Sequence, residues 1–217
     1  MSVRDARWIV GALAVAVLHA CQPPPPRVSL AHGDRSYTSN DYDRVLERWT
    51  RQVDLVEFQA LEERFRADAT FQSWDFRWAL AVRQSSDRVL PPNEREALLR
   101  VARESAEQEH EFFVALLSEY VRWSELTRRF TAWEVRLVDD RGREVSPTRI
   151  EPVRRPGAAE RTYFPYITPW RNSFRIHFPR RVTTPDGETE VLGPGTRWFV
   201  LRFRGPRGHA DLRWDLE

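Results

Sequence analysis

The chain has 217 residues, with 34 basic and 32 acidic side chains, a net charge of +2 and one cysteine. So even a balance excludes the charge excess of a nucleic-acid-binding protein. One cysteine excludes an internal disulfide framework.

At the N-terminus Arg4 and Arg7 flank Asp5, and an uninterrupted apolar run extends from Trp8 to Leu18. A basic start followed by an apolar stretch is the layout of a secretory signal. The run is shorter than the ~20 apolar residues that span a bilayer. It ends in Leu18-His19-Ala20-Cys21, which holds the lone cysteine. These residues resemble the lipobox of bacterial lipoproteins. In that family a branched apolar residue stands three before the cysteine and a small residue directly before it; His19 departs from the usual middle residue. The resemblance implies a signal peptide over 1–20, cut before Cys21. It also implies a diacylglyceryl thioether on the Cys21 sulfur and an acyl chain such as palmitate on the new amine. Several acyl chains anchor stably where one is marginal, each buried CH₂ contributing ~0.8 kcal/mol. Gln22, standing where aspartate would retain the protein, implies the outer membrane, facing the periplasm.

Pro23 to Pro26 predict a stiff extended spacer. With the polar, aperiodic stretch to Ser39 they predict a tether over 21–39. Residues 40–217 then form one domain of ordinary size. All 34 basic residues are arginine. A GC-rich genome explains that bias more simply than a role in anion binding, because the acids nearly balance it.

In the domain, Ser39 or Asn40 caps a first helix, in which Tyr42, Val45, Trp49, Val53 and Val56 fall at helical spacing. From Leu61 to Phe71 the odd positions Leu61, Phe65, Ala67, Ala69 and Phe71 are apolar and the even ones polar. That alternation predicts a strand, although Leu61, Phe65 and Ala69 also suit a helix. Ser73 caps a second helix, ended by Leu90-Pro91-Pro92. Asn93 and Glu96 have the spacing of a capping box for a third. Phe112 to Leu117 is a six-residue apolar run, as in a strand buried on both faces. Beyond it, Trp133, Val135 and Leu137 share a face with Thr131, and Asp139 to Gly142 turns the chain toward Val145. Phe174, Ile176 and Phe178 alternate with polar residues, Phe199, Leu201 and Phe203 lie on one face of the next strand, and Ala210, Leu212, Trp214 and Leu216 again alternate with polar residues. The expected fold is α+β: an immunoglobulin-like antiparallel β-sandwich with a leading helix and an inserted helical pair.

The runs WEVRLVDDRGREVSP, YFPYITPW and FRIHFP resemble a group of lipoproteins of GC-rich bacteria that has no activity to carry over. No phosphate loop, nucleophile elbow or helical zinc motif is present. Glu109-His110-Glu111 reads as surface charge, since adjacent residues do not converge on a metal. His177 and His209 read as solvent-facing strand positions, and Asp139-Asp140 as turn residues. The candidate binding residues are Tyr163, Phe164, Tyr166, Trp170 and Arg171. Four aromatics around two prolines suit a rigid loop that stacks on sugars or grips a partner, with Arg171 as a donor. The alternative is a loop folded back as a lid on the core.

Together these features predict a membrane-anchored envelope lipoprotein: a non-enzymatic binding or scaffolding module with no cofactor, metal or nucleic acid. Its partner would be an envelope protein or glycan. An enzyme acting on envelope polymers would need an acidic or His–acid pair in one pocket. A purely structural spacer would have neither a concave pocket nor an exposed aromatic patch.

Overall fold

A computed structural model describes residues 25–57, 62–118, 121–185, 187–205 and 208–217. Residues 1–24, Cys21 among them, and Leu61 lie outside them. The fold is α+β and dominated by antiparallel sheets. Four helices are described: α1 (Tyr42–Trp49), α2 (Trp74–Asp87), α3 (Pro92–Gln108) and α4 (Ala158–Tyr163). A five-stranded sheet is built from β1 (Thr50–Glu57), β2 (Glu62–Phe71), β3 (Glu109–Ser118), β7 (Asn172–Pro179) and β6 (Arg149–Pro152), in that order. A four-stranded sheet runs β11 (Gly208–Asp215), β10 (Trp198–Gly205), β4 (Glu134–Asp139), β5 (Glu144–Val145). A separate ribbon joins β8 (Arg181–Thr184) to β9 (Gly187–Glu190).

Period-two sequences put one apolar row of each sheet toward the other. Phe65, Ala67, Ala69 and Phe71 of β2 are buried in register beside Phe112, Val114 and Leu116 of β3. They meet the apolar rows of β10 and β11. Phe65 packs on Phe203 at 5.5 Å between ring centroids, Phe71 on Phe199 at 5.1 Å and Phe112 on Trp214 at 5.5 Å. The alternation in Glu62–Phe71 therefore reports a strand.

β3 is buried on its other face too. Phe113 stacks on Phe164, with centroids 4.0 Å apart and planes 5° from parallel, and Arg175 lies over the ring. Glu111, on the same face, sits between Arg77 of α2 (2.7 Å) and Arg175 of β7 (2.9 Å). Helices and the 163–171 segment thus form a third layer, and the unbroken apolar run of β3 follows from two covered faces.

Three expectations are corrected. First, α1 ends at Trp49, and Val53 and Val56 belong to β1. Val53 fits both periods: it is four residues from Trp49, and it also alternates with Arg51 and Leu55 against exposed Gln52 and Asp54. Arg51 decides between them. It is buried, and its guanidinium donates to the carbonyls of Arg213, Arg48, Thr50 and Pro26, contacts available only from a strand beside β11. Second, α3 begins at Pro92, with Asn93 inside the helix and no side-chain cap. A proline at the first helical position gives up only an N–H that would have no intrahelical partner. Ser73 does cap α2, its Oγ accepting from Phe76 N at 3.1 Å.

Third, the described part of the expected tether, 25–39, is pinned to the domain at single points although most of its residues are exposed. Val28 is 1 % exposed and forms a parallel bridge with Leu216. Trp74 Nε1 donates to the Gly33 carbonyl at 2.8 Å. Asp75, in the first turn of α2 and 5 % exposed, accepts from Arg35 Nε, Tyr37 OH and Trp49 Nε1, each at 2.8 Å. One carboxylate so joins the N-terminal strap, α1 and α2. Asp75→Ala leaves three buried or half-buried donors unpaired. It is expected to cost ~3–5 kcal/mol in a denaturant melt and to expose 26–37 to limited proteolysis.

Candidate functional site

The structure separates the five candidate residues. Tyr163 and Phe164 are buried, the first donating its hydroxyl to Asp87 Oδ2 (3.1 Å), the second stacked on Phe113. The Tyr166 hydroxyl is within 2.7 Å of Thr70 Oγ1 and donates to the Phe113 carbonyl at 3.2 Å. Arg171 donates to the buried carboxylate of Asp68 and to the Tyr166 carbonyl (3.3 Å). These four residues form a lid over the outer face of the five-stranded sheet. Trp170 alone points out, 80 % exposed. Burial of Tyr163 and Phe164 follows from the need of Phe113 for an apolar cover. Cys21 lies outside the described residues.

Beside Trp170 is a groove of about 480 Å³. Its walls are the 152–156 connection, Arg161 of α4, Ile167 to Pro169 and Arg171 to Phe174; Trp170, between the last two, is not part of the lining. Arg154 and Arg155 are exposed and have no hydrogen bond or ion pair among the described residues. Arg161 is held by the Pro156 carbonyl through Nε (3.2 Å) and NH2 (2.9 Å) and has no ion pair among the described residues. Ser173 is 4 % exposed and its Oγ has no partner among the described residues. The one carboxylate on the lining is Glu125, already accepting from Thr127 Oγ1 at 2.7 Å. Arg171 also lines the groove, but Asp68 neutralises it. The donors expected from Arg171 are therefore supplied by Arg154, Arg155 and Arg161. Sequence reasoning missed them because Arg154-Arg155 looks no different from Arg128-Arg129 or Arg180-Arg181 along the chain. Only the flanking Pro152 and Pro156, which keep the pair out of regular structure, hinted at a site.

A second concavity of about 430 Å³ lies where the strap meets β3 and the 192–196 loop. His110 lines it and is buried, not part of a charged surface. Its Nδ1 is 3.1 Å from Arg180 NH1 and its Nε2 is 2.8 Å from the Val191 carbonyl. A guanidinium can only donate and a carbonyl only accept, so the ring carries its proton on Nε2. Burial, with the Arg180 charge next, pushes its pKa down to about 3. Both ring nitrogens are occupied, and the neutral ring has none to offer a metal. Glu111 is buried as well. Burial alone would raise its pKa, but Arg77 and Arg175 outweigh it and hold the carboxyl below its usual range. Among the described residues no group of three or more potential ligands could hold a metal ion.

His177 is also buried, 4 % exposed, in place of the solvent-facing position expected for it. Arg149 of β6 stands beside it in the same sheet, and its Nδ1 lies 2.6 Å from Glu109 Oε1. Glu109 lines the second concavity, but His177 does not. The pair therefore is not presented together in that pocket. His209 is exposed, as expected. Asp140 receives Arg197, and Asp139 holds the turn by accepting from Arg141 N and Arg143 N.

Comparison with protein-family models, curated proteins and solved structures finds no match to this chain.

Trp170→Ala is expected to change stability by less than about 0.5 kcal/mol, as for an exposed site. Phe164→Ala should cost ~3–5 kcal/mol. Paired denaturant melts measure both. His110 gives a pH signature. Below about 6.5 the unfolded ring takes up a proton that the folded ring refuses until about 3. Stability contributed by this residue is therefore lost as pH falls through that window, by up to ~1.4 kcal/mol per pH unit. Urea midpoints taken from pH 7 to pH 4 should fall more steeply for the native chain than for His110→Gln.

Proposed function

We propose that the chain is a lipid-anchored protein of the bacterial cell envelope, placed in the outer membrane facing the periplasm, and that it works by binding and not by catalysis. The address rests on the lipobox-like Leu18-His19-Ala20-Cys21. The binding role rests on one observation: a groove lined by Arg154, Arg155 and Arg161, none of which has a carboxylate partner among the described residues, near an exposed tryptophan. That feature favours a binding module over a structural spacer. Two facing antiparallel sheets, with the chain passing back and forth between them, support an immunoglobulin-like reading of the sandwich.

Docking of the strap bears on how such a protein would sit. Only Gln22 to Pro25 separate Cys21 from Pro26, whose carbonyl accepts from Arg51 on the domain. Five residue steps reach at most about 18 Å. An anchored Cys21 would then hold the domain against the bilayer surface, where a free tether through Ser39 would let it swing.

Intact mass of the protein extracted from membranes should show acyl additions on an N-terminal Cys21, and Cys21→Ser should abolish them. A mature N-terminus at any other residue, without acylation, overturns the anchored reading.

A further inference from the structure

The groove described above carries more than a generic binding role. Arg154, Arg155 and Arg161 bring three positive charges to the groove lining, against a single carboxylate there, Glu125, that is already hydrogen-bonded. Many other arginines are spent on acids, as Arg77 and Arg175 on Glu111, Arg202 on Asp211 and Arg143 on Asp139. A guanidinium is a planar fork that suits carboxylate and phosphate oxygens, and three of them without protein acids favour an anionic occupant. Arg161 is already steered by the Pro156 carbonyl, so little freedom is lost when it binds. Ser173 adds a buried hydroxyl without a partner among the described residues at the groove lining. A group that close to a concavity is a natural place for a ligand hydroxyl or acid oxygen.

Trp170 selects among anions. It does not itself line the groove but stands between Pro169 and Arg171, which do, so a ligand that stacks on it must be a chain that runs past the groove edge. It is 80 % exposed, and no ring or cation packs on it among the described residues. An indole held out beside prolines offers a rigid apolar face with one N–H at its edge. The apolar face of a sugar ring matches that platform, and acid groups on the sugar match the arginines. An acidic peptide would use the arginines and leave the indole idle. The volume, about 480 Å³, lies in the range of small-ligand sites.

We infer that this groove binds an acidic saccharide, a sugar chain bearing carboxylate or phosphate groups, with Trp170 stacking on a ring and Arg154, Arg155 and Arg161 holding the acids. The inference rests on the reading of the chain as a binding module, and it names the ligand class of that same site.

Calorimetric titration of the full-length protein in detergent micelles tests it, with four probes: oligogalacturonate, phosphorylated dextran, neutral dextran and polyglutamate. Binding of either acidic saccharide, stronger than that of neutral dextran and polyglutamate, is the expected result; the tighter of the two identifies the acid. It should weaken as salt rises, because the contacts are exposed charges. Arg154→Gln/Arg155→Gln and, separately, Trp170→Ala should each weaken it by about tenfold or more, with unchanged melting temperatures. Polyglutamate binding as tightly, indifferent to Trp170→Ala, would make this an acidic-peptide site and overturn the proposal. Equal binding of neutral dextran, or no binding of any probe, overturns it too. Acylation of Cys21 is measured independently by mass, so a failed titration leaves the anchoring test standing, and a missing anchor leaves the titration interpretable.

Discussion

Burial of β3 on both faces is the constraint from which most of this architecture follows. Its even-numbered residues complete the sandwich against β10 and β11, and its odd-numbered ones need a second cover. No second sheet supplies it. α2 brings Arg77 to Glu111, α1 brings Tyr42 against Phe76, and the 163–171 segment brings Phe164 onto Phe113. The prolines of that segment suit this task, because a lid needs shape and not a ladder of hydrogen bonds. Its turn outward after Ile167 leaves Trp170 in solvent and forms one side of the groove. The candidate site is thus a by-product of covering the central strand.

Covering a sheet with helices and loops also buries polar residues, and the arginine-rich composition meets that demand. Asp68, Asp75, Glu111 and Asp139 are all buried, and each has at least one arginine on it. Such pairs are weak evidence for net stability, since desolvation offsets most of the attraction. They do fix geometry, because removing either member strands a charge. Arg154 and Arg155, like the exposed Arg27, Arg95, Arg128 and Arg129, have no such acid among the described residues; what sets them apart is that they share a groove lining with Arg161.

The N-terminal strap is tied to the rest through Asp75 and through the Val28–Leu216 bridge, which joins the two ends of the described chain. Val28 N donates to the Asp215 carbonyl at 2.9 Å and Glu217 N to the Val28 carbonyl at 3.0 Å. The polar sequence before Ser39 has no apolar period because it is neither helix nor a full strand. It docks through single anchors, Val28, Gly33, Arg35 and Tyr37, each meeting a different element. Such contacts leave no repeat in the sequence.

Periodicity made most of the sheet legible in advance. Alternation in β7, β11 and most of β2, the apolar row of β10, the double-sided run of β3 and the Ser73 cap are local properties, so the sequence by itself determined these elements and the α+β class. It left Val53 ambiguous, because one residue satisfied both periods at once. It misjudged His110, Glu111 and His177, because alternation distinguishes the two faces of a strand but cannot say whether the polar face is covered. Only the tertiary structure decided that the outer face lies under helices and the aromatic lid, that Arg171 is spent on Asp68 while Arg154 and Arg155 remain unpaired, and that the strap is docked. Each depends on which distant segment arrives at a given surface, and pairing across 30 to 190 residues leaves no trace in local spacing.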